Sequence, residues 1–144
     1  MEDANAKIIA YGIYVNGIRE GSWTELHPNG HVKSVTGYVN GVKEGQSVEI
    51  DNKGQLLERF TYHNGELSGV YTKYNRSRIK EIKNYEKGLL EGKVEIFYDN
   101  AKVMEESYYE NGKRNGVAKW YDQDGNLSIE YNYVEGEWIK DDDK

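Results

Sequence analysis

Three histidines are the side chains in this sequence best suited to bind a metal ion or transfer a proton. His27 and His31 flank residues 28–30, so a hairpin turn would bring their rings near one another, while His63 lies in a later segment. A metal site needs a third ligand, and because the chain has no cysteine, only carboxylates remain available. The pattern therefore favours solvent-exposed turn residues over a metal centre.

The recurrent spacing Gly-x-x-x-Gly could be mistaken for a phosphate-binding loop. It lacks the Gly-Lys-Ser/Thr ending of such a loop, and no helical pattern follows that would offer its amino-terminal dipole to an anion. Carboxylates are abundant, but none lies in a segment whose sequence suggests a pocket. We therefore expect no catalytic residue, no cofactor and no enzymatic activity.

Two charged patterns are better candidates for a binding surface. Glu58, Glu81 and Glu105 occupy equivalent places, each four residues before a tyrosine. They could each pair with a lysine or arginine of an intervening strand, or form an acidic stripe that receives a basic partner. In contrast, residues 73–87 contain six basic and two acidic residues, in a chain whose net charge is −6.

The overall composition limits the classes of function. Acidic residues outnumber basic ones, 25 to 19, which disfavours nucleic acid and anionic membranes because both bind cationic surfaces. No run approaches the ~18 consecutive apolar residues of a membrane-spanning helix, and the amino terminus does not resemble a secretory signal. We therefore expect a cytoplasmic protein, and 144 residues suit one domain with a modest core.

The elements that must position these residues are short and repeated. The phrase YVNGVKEG, residues 38–45, has relatives that begin at Tyr14, Tyr62, Tyr85 and Tyr109, with a partial copy at Tyr133. The copies are 23 or 24 residues apart, and such fixed self-similarity is typical of a repeat protein. Residues 1–140 are therefore expected to form a single repeat domain, and residues 141–144 an acidic tail.

Each unit contains two turns and two strand-like runs, which together predict a β-hairpin. Asn-Gly suits a tight turn because both residues tolerate positive φ, and a second turn follows, for example DNKG. Sixteen glycines and thirteen tyrosines also favour strands and turns. The expected fold is all-β: a single-layer, twisted antiparallel meander of hairpins, with about eleven or twelve strands.

Two columns of equivalent residues are expected to line one face of this sheet. The aliphatic column is Val32, Leu56, Ile79, Val103 and Leu127. The tyrosine column, predicted to form a structural ladder, is Tyr38, Tyr62, Tyr85, Tyr109 and Tyr133. Six residues separate the columns in each unit, and an even spacing places both on the same face of a regular strand.

The pattern Tyr-x-Asn-Gly-x-x-x-Gly, followed by a short aromatic strand and a second glycine turn, resembles the MORN-repeat variant of bacterial antitoxin-like proteins. The resemblance covers residues 14–138. It implies a sheet of hairpins used for binding, often as the antitoxin of a toxin–antitoxin pair, whereas other MORN-repeat proteins are associated with scaffolding and phospholipids. The chain departs from the pattern in two places. The third unit is one residue short, and the fourth has Asn100-Ala101 where glycine is expected.

Near-copies of one unit present nearly the same surface everywhere, so specificity must come from the places where units differ. We therefore predict that Arg76, Arg78, Lys80 and Lys83, in or beside the shortened turn, contact an acidic patch on a partner protein. The resemblance implies that this partner is a toxin, effector or defence enzyme, which the protein neutralises as an antitoxin, immunity protein or phage-type inhibitor. A phospholipid-associated scaffold, an acidic decoy for a nucleic-acid-binding enzyme, and a homodimer remain open.

Overall fold

The computed structural model describes residues 1–5 and 7–140, and the regular elements in this part of the chain are all β-strands in one antiparallel sheet. With no helix among these residues, none is present that could span a membrane. The acidic tail predicted at residues 141–144 lies outside the described residues. The predicted all-β class is confirmed. The strands are β1 (Ala10–Val15), β2 (Ile18–Leu26), β3 (Val32–Val39), β4 (Val42–Ile50), β5 (Leu56–His63), β6 (Glu66–Leu67), β7 (Gly69–Asn75), β8 (Arg78–Glu86), β9 (Leu89–Leu90), β10 (Gly92–Phe97), β11 (Val103–Glu110), β12 (Lys113–Arg114), β13 (Gly116–Tyr121), β14 (Leu127–Val134) and β15 (Glu137–Ile139).

The strands follow one another across the sheet in chain order, as expected for a meander. Twelve strands form the continuous path, and the two-residue strands β6, β9 and β12 pair only with β5, β8 and β11. Each short strand is separated by one residue from the strand that follows it, and that residue still donates a backbone hydrogen bond to the preceding strand. Each is therefore the first part of a long strand, which agrees with the predicted number of strands.

Six tight turns connect successive long strands; four of them are Asn-Gly pairs, and the other two are Lys87-Gly88 and Glu135-Gly136. At Asn40 and Gly41, φ is 49° and 79°, and the other five turns of this row also have two residues with positive φ. Positive φ at both central residues is the pattern of a type I′ turn, whose twist matches that of a hairpin. The turn requires this backbone conformation, which explains why the turn residues of the phrase recur in each unit.

An irregularity in the strand register overturns one sequence prediction. Glu49 lies opposite Glu58, but the next residue, Ile50, lies opposite Leu56, so one residue between Leu56 and Glu58 has no partner. Because Ile50 points away from the face of Glu49, Leu56 also points away from the face that carries Glu58 and Tyr62. Equivalent bulges occur in the other four hairpins. The prediction that the aliphatic and tyrosine columns share one face is therefore wrong.

The face that carries the tyrosines also carries most of the small core. Trp23, Phe60, Val94 and Ala118 are buried in its middle row, together with Ser107. We call this the tyrosine face, and the opposite side, with many exposed valine and isoleucine residues, the aliphatic face. The five predicted ladder tyrosines are half-buried. Each lies opposite a glycine of the preceding strand, in the pairs Gly21–Tyr38, Gly45–Tyr62, Gly69–Tyr85, Gly92–Tyr109 and Gly116–Tyr133.

Candidate protein-binding groove at the third and fourth loops

The second turn of each hairpin lies at the sheet edge opposite the Asn-Gly turns, and we call this side the loop edge. In the second unit, the N–H of Asp51 donates to the C=O of Gln55 (2.8 Å), and the N–H of Gly54 donates back to the C=O of Asp51 (3.1 Å). The first, fourth and fifth units repeat this pair of bonds. The fourth residue of each such five-residue loop has positive φ, including Ala101 at 69°. In the fourth unit, alanine therefore stands at a position whose backbone conformation suits glycine.

The third loop is built differently, which explains the shorter repeat. Asn75 and Arg78 pair directly across the hairpin, and the two residues between them, Arg76 and Ser77, have φ values of 50° and 62°. A left-handed conformation costs a residue with a side chain about 1–2 kcal/mol. The turn is thus one residue shorter than its equivalents and is formed by two residues poorly suited to it.

Side chains link neighbouring loops along the loop edge. Between the first and second units, His27 Nε2 donates to the C=O of Ile50 (2.7 Å), and Asn29 Nδ2 donates to the C=O of Asn52 (2.9 Å). Between the fourth and fifth units, the Tyr98 hydroxyl donates to the C=O of Tyr121 (2.7 Å). His27 therefore has a structural role. Within residues 1–5 and 7–140, no group of three histidines or carboxylates is arranged to hold a metal ion.

The short third loop leaves a cleft beside the fourth. This cleft has a volume of about 500 Å³ and is lined mainly by Arg78, Ile79, Phe97 and the loop residues 98–101. A second cleft of about 380 Å³ shares Phe97 and residues 98–100 with the first and is also lined by Lys80 and Met104. Such volumes are typical of ligand-binding clefts. We call the two clefts together the third-loop groove.

The groove combines an apolar floor with a cationic rim. Ile79 is 45% exposed and lies in the same cleft as Phe97, so apolar surface is open to solvent there. Arg78 lines the cleft and donates from Nη1 to the C=O of Asp99 (3.2 Å), which holds the guanidinium at the rim. Asp99 also places one carboxylate beside the groove. The site therefore offers apolar contact together with hydrogen-bond donors and a local excess of positive charge.

The structure brings three of the four predicted contact residues to one region. Arg78 and Lys80 line the groove, and Arg76 is exposed on the adjoining turn. Lys83 is not part of this region. It lies opposite Tyr71 in the middle row of the tyrosine face, where its Nζ is 2.9 Å from Glu81 Oε2. Burial is the largest single influence and lowers the pKa of Lys83, but the hydrogen bond and the charge of Glu81, with smaller contributions from Tyr85 and Tyr109, together outweigh it and leave the pKa raised.

The predicted glutamate column lies on the tyrosine face, and its members have different partners. Glu81 pairs with Lys83, and Glu105 pairs with Arg114 at 2.7 Å. Glu58 lies opposite Glu49, and burial, followed by the charge of Glu58, raises the pKa of Glu49. The cation pairs interrupt the acidic stripe. Carboxylates also occupy the aliphatic face, for example on β10 and β11, which argues against a one-sided acidic decoy.

Cation–aromatic contacts on the tyrosine face were not predicted from the sequence. The Arg114 guanidinium lies 5.4–5.6 Å from the ring centres of Tyr109, Trp120 and Tyr133, and Arg19 lies over Trp23 and Tyr38 in the same way. The signal in the sequence is a cation five residues after a repeat tyrosine. Such contacts stabilise the ladder and reduce the exposed charge of this face.

Three segments of the chain match the family described as MORN repeat variant: residues 19–40, 90–111 and 114–135. Each segment contains one loop-edge turn and ends at the following tight turn. Three of the hairpin units therefore match the MORN repeat variant family, and MORN repeats suggest a binding or scaffolding role. No match was found among curated protein sequences.

Two solved structures match part of this chain. The crystal structure of TarM is 16% identical with a TM-score of 0.44, covering 67% of this chain and 19% of that chain. A mutant of S. aureus TarM, in complex with fondaparinux, alpha-GlcNAc-glycerol and UDP, is 17% identical with a TM-score of 0.45 over the same shares. The chain thus spans about a fifth of the length of these structures.

Proposed function

We propose that this protein is a non-catalytic binding protein whose partner is another protein and docks at the third-loop groove. The observation that carries this proposal is that both departures from the repeat, the shortened third turn and Ala101, border the same cleft. A regular array offers the same surface in every unit, so a partner can recognise one position only where the units differ. The groove is such a position.

The chemistry of the groove selects the partner. Ile79 and Phe97 favour an apolar side chain inserted into the cleft, and Arg76, Arg78 and Lys80 favour carboxylates around it. The net charge of −6 repels an acidic partner at long range, but salt screens charges beyond about 8 Å at physiological ionic strength. We therefore propose an acidic surface with an apolar centre as the partner's contact site.

The proposed biological effect is neutralisation of the partner, as by an antitoxin, immunity protein or phage-type inhibitor acting in the cytoplasm. Its support is the resemblance of the repeat to antitoxin-like proteins, whereas the groove supports only the binding step. On this proposal the partner is a toxin, an effector or a defence enzyme, and the protein acts by covering part of its surface rather than by chemistry.

The test begins with capture of the partner from the native host, followed by binding kinetics with charge-reversed variants. The double variant Arg76→Glu/Arg78→Glu should associate more slowly, with the difference shrinking at high salt, because complementary charges mainly accelerate encounter. The matched control Lys53→Glu/Arg59→Glu makes the same change in net charge at exposed positions outside the groove. Equal affinity of the parent and the groove variant at low salt would refute the proposed site.

A second candidate function is a phospholipid-associated scaffold, and exposed Val39, Val42 and Val70 on the aliphatic face favour it. Co-sedimentation with anionic vesicles separates the two candidates. Retention that persists at high salt would support the scaffold, because salt screens charges but not the apolar contacts of this face, while an absence of retention would leave the protein-binding function. The groove variant serves as an internal comparison, because a membrane that binds through the aliphatic face should not depend on Arg76 and Arg78.

A further inference from the structure

The first strand of the sheet has an edge with unusual composition. Its sequence, AYGIYV, contains no charged residue and no proline, whereas exposed edge strands usually carry such residues to prevent pairing with other chains. Ile13 is 64% exposed, and Tyr11, Tyr14 and Val15 are each at least half exposed. In the described part of the chain, β1 pairs along its length only with β2. The other edge is therefore apolar and open over residues 11–15.

The backbone groups at this open edge can be assigned from the neighbouring hydrogen bonds. The Met1 amino group donates to the C=O of Ala10 (2.9 Å), and the N–H of Ala10 points to the C=O of Met1 (3.4 Å). Ala10 therefore faces outward, away from β2. Successive residues of a strand alternate, so the N–H and C=O groups of Gly12 and Tyr14 face outward as well. Tyr11, Ile13 and Val15 face β2.

The repeats show what normally pairs with this edge. Tyr14 holds the same place in its unit as Tyr38 and Tyr62, and those tyrosines lie opposite Gly21 and Gly45 of the preceding strand. In each of these pairs the preceding strand covers the edge that is open at Tyr14. Tyr14 instead packs on one side against Trp23, with the ring centres 4.8 Å apart, and its other side meets the open edge.

We propose that a second copy of this chain occupies the edge, antiparallel to the first and related to it by a two-fold axis at Ile13. In this register Gly12 lies opposite Tyr14 of the second copy, and Tyr14 lies opposite its Gly12. These two pairs form about four backbone hydrogen bonds. On the aliphatic face, Ile13 meets Ile13 and Tyr11 meets Val15.

The composition of the edge favours a copy of itself over another occupant. Because none of the paired side chains is charged, a two-fold contact brings no like charges together. The contact is bounded on one side by Met1 at Ala10 and on the other by the tight turn at Asn16, so it is short. We therefore expect a weak, concentration-dependent dimer. Added salt should strengthen it, because each copy has a net charge of −6 and the remaining repulsion is screened.

Charge reversal at the two-fold axis tests the proposal. In sedimentation velocity between about 10 µM and 1 mM, the parent should shift from monomer to dimer. Ile13→Lys and Ile13→Glu should each remain monomeric, since each places two like charges face to face. An equimolar mixture of the two variants should restore the dimer, because opposite charges then meet. Val70 is 54% exposed on the interior strand β7. The matched control Val70→Lys should therefore dimerise like the parent.

Amide exchange supplies an independent readout of the register. The amide protons of Gly12 and Tyr14 should exchange more slowly as the protein concentration rises, while the exposed loop amides should not change. A parent that stays monomeric over the whole range would overturn the proposal. So would a folded Ile13→Lys variant that dimerises like the parent, or a mixture of folded variants that fails to associate.

Discussion

Replacing Ala101 by glycine should stabilise the protein, although it removes a methyl group. Ala101 closes the fourth loop with a φ of 69°, and its N–H donates to the C=O of Tyr98 at 3.0 Å. Gly30, Gly54 and Gly125 hold the same place in other units, with φ values of 88°, 85° and 94°. The four equivalent loops therefore share a conformation that suits glycine, and among them the fourth unit has alanine at this position.

The magnitude follows from two opposing contributions. A left-handed conformation costs a residue with a Cβ about 1–2 kcal/mol relative to its preferred regions. Glycine avoids that cost but loses about 0.5–1 kcal/mol more conformational freedom on folding than alanine does. Ala101→Gly should therefore raise the free energy of unfolding by about 0.5–1 kcal/mol, which corresponds to an increase of roughly 3 °C in Tm for a chain of this size.

The reverse substitution in the fifth unit provides a matched control. A Cβ added at Gly125 would meet Lys102 Cδ at 3.9 Å, an ordinary contact, so the cost of Gly125→Ala is due to the backbone alone. We expect a loss of about 1 kcal/mol by the same reasoning. Urea denaturation followed by tyrosine and tryptophan fluorescence measures both changes. A destabilised Ala101→Gly, or a neutral Gly125→Ala, would refute the argument.

Three further predictions concern the tight-turn edge and the tyrosine face. Hydrogen bonds to the Glu44 carboxylate, first from the N–H of Asn64 and then from His63, lower the pKa of Glu44. The stabilisation of the folded protein by this carboxylate is therefore present above the ordinary carboxylate pKa and is lost as the pH falls through the lowered value. Glu44→Gln should therefore lose less stability than the parent between pH 7 and pH 3, measured by urea midpoints. Tyr85→Ala should cost about 2–3 kcal/mol and Tyr14→Ala clearly less, because Tyr14 lies at an open edge; equal losses in thermal denaturation would argue against a stacked ladder. Arg114→Met should cost about 2–4 kcal/mol, because it leaves Glu105 buried without its cation, and a second substitution, Glu105→Gln, should recover part of the loss.

The sequence alone determined the hairpin array, because the features that specify it are local. An Asn-Gly pair favours positive φ at both residues through its own local preference, and six such turns at a nearly constant spacing, four of them Asn-Gly, leave room only for short strands between them. The departures in the third and fourth units were also visible without coordinates. The all-β meander is confirmed for these reasons, and three of its units match the MORN repeat variant family.

The faces of the sheet were decided by the tertiary structure. Counting along the chain placed Leu56 and Tyr62 on one side, but a residue without a partner precedes Glu58 and reverses the alternation. A bulge depends on how two strands pair, and the residues on the two strands need not differ in type from those of a regular ladder. Periodicity within a single strand therefore could not reveal it.

The proposed binding surface was likewise visible in part from the sequence and decided in part by the tertiary structure. The basic residues of the third unit could be named from the sequence, because an uneven charge distribution is visible there. Which of these residues lie together depended on the position of each along its strand and on its ion-pair partner. Arg78 and Lys80 reach the groove, whereas Lys83 lies farther along β8 and is bound to Glu81. The groove itself exists because a shorter loop stands beside a longer one, and such a gap between neighbouring units arises only when the hairpins are assembled side by side.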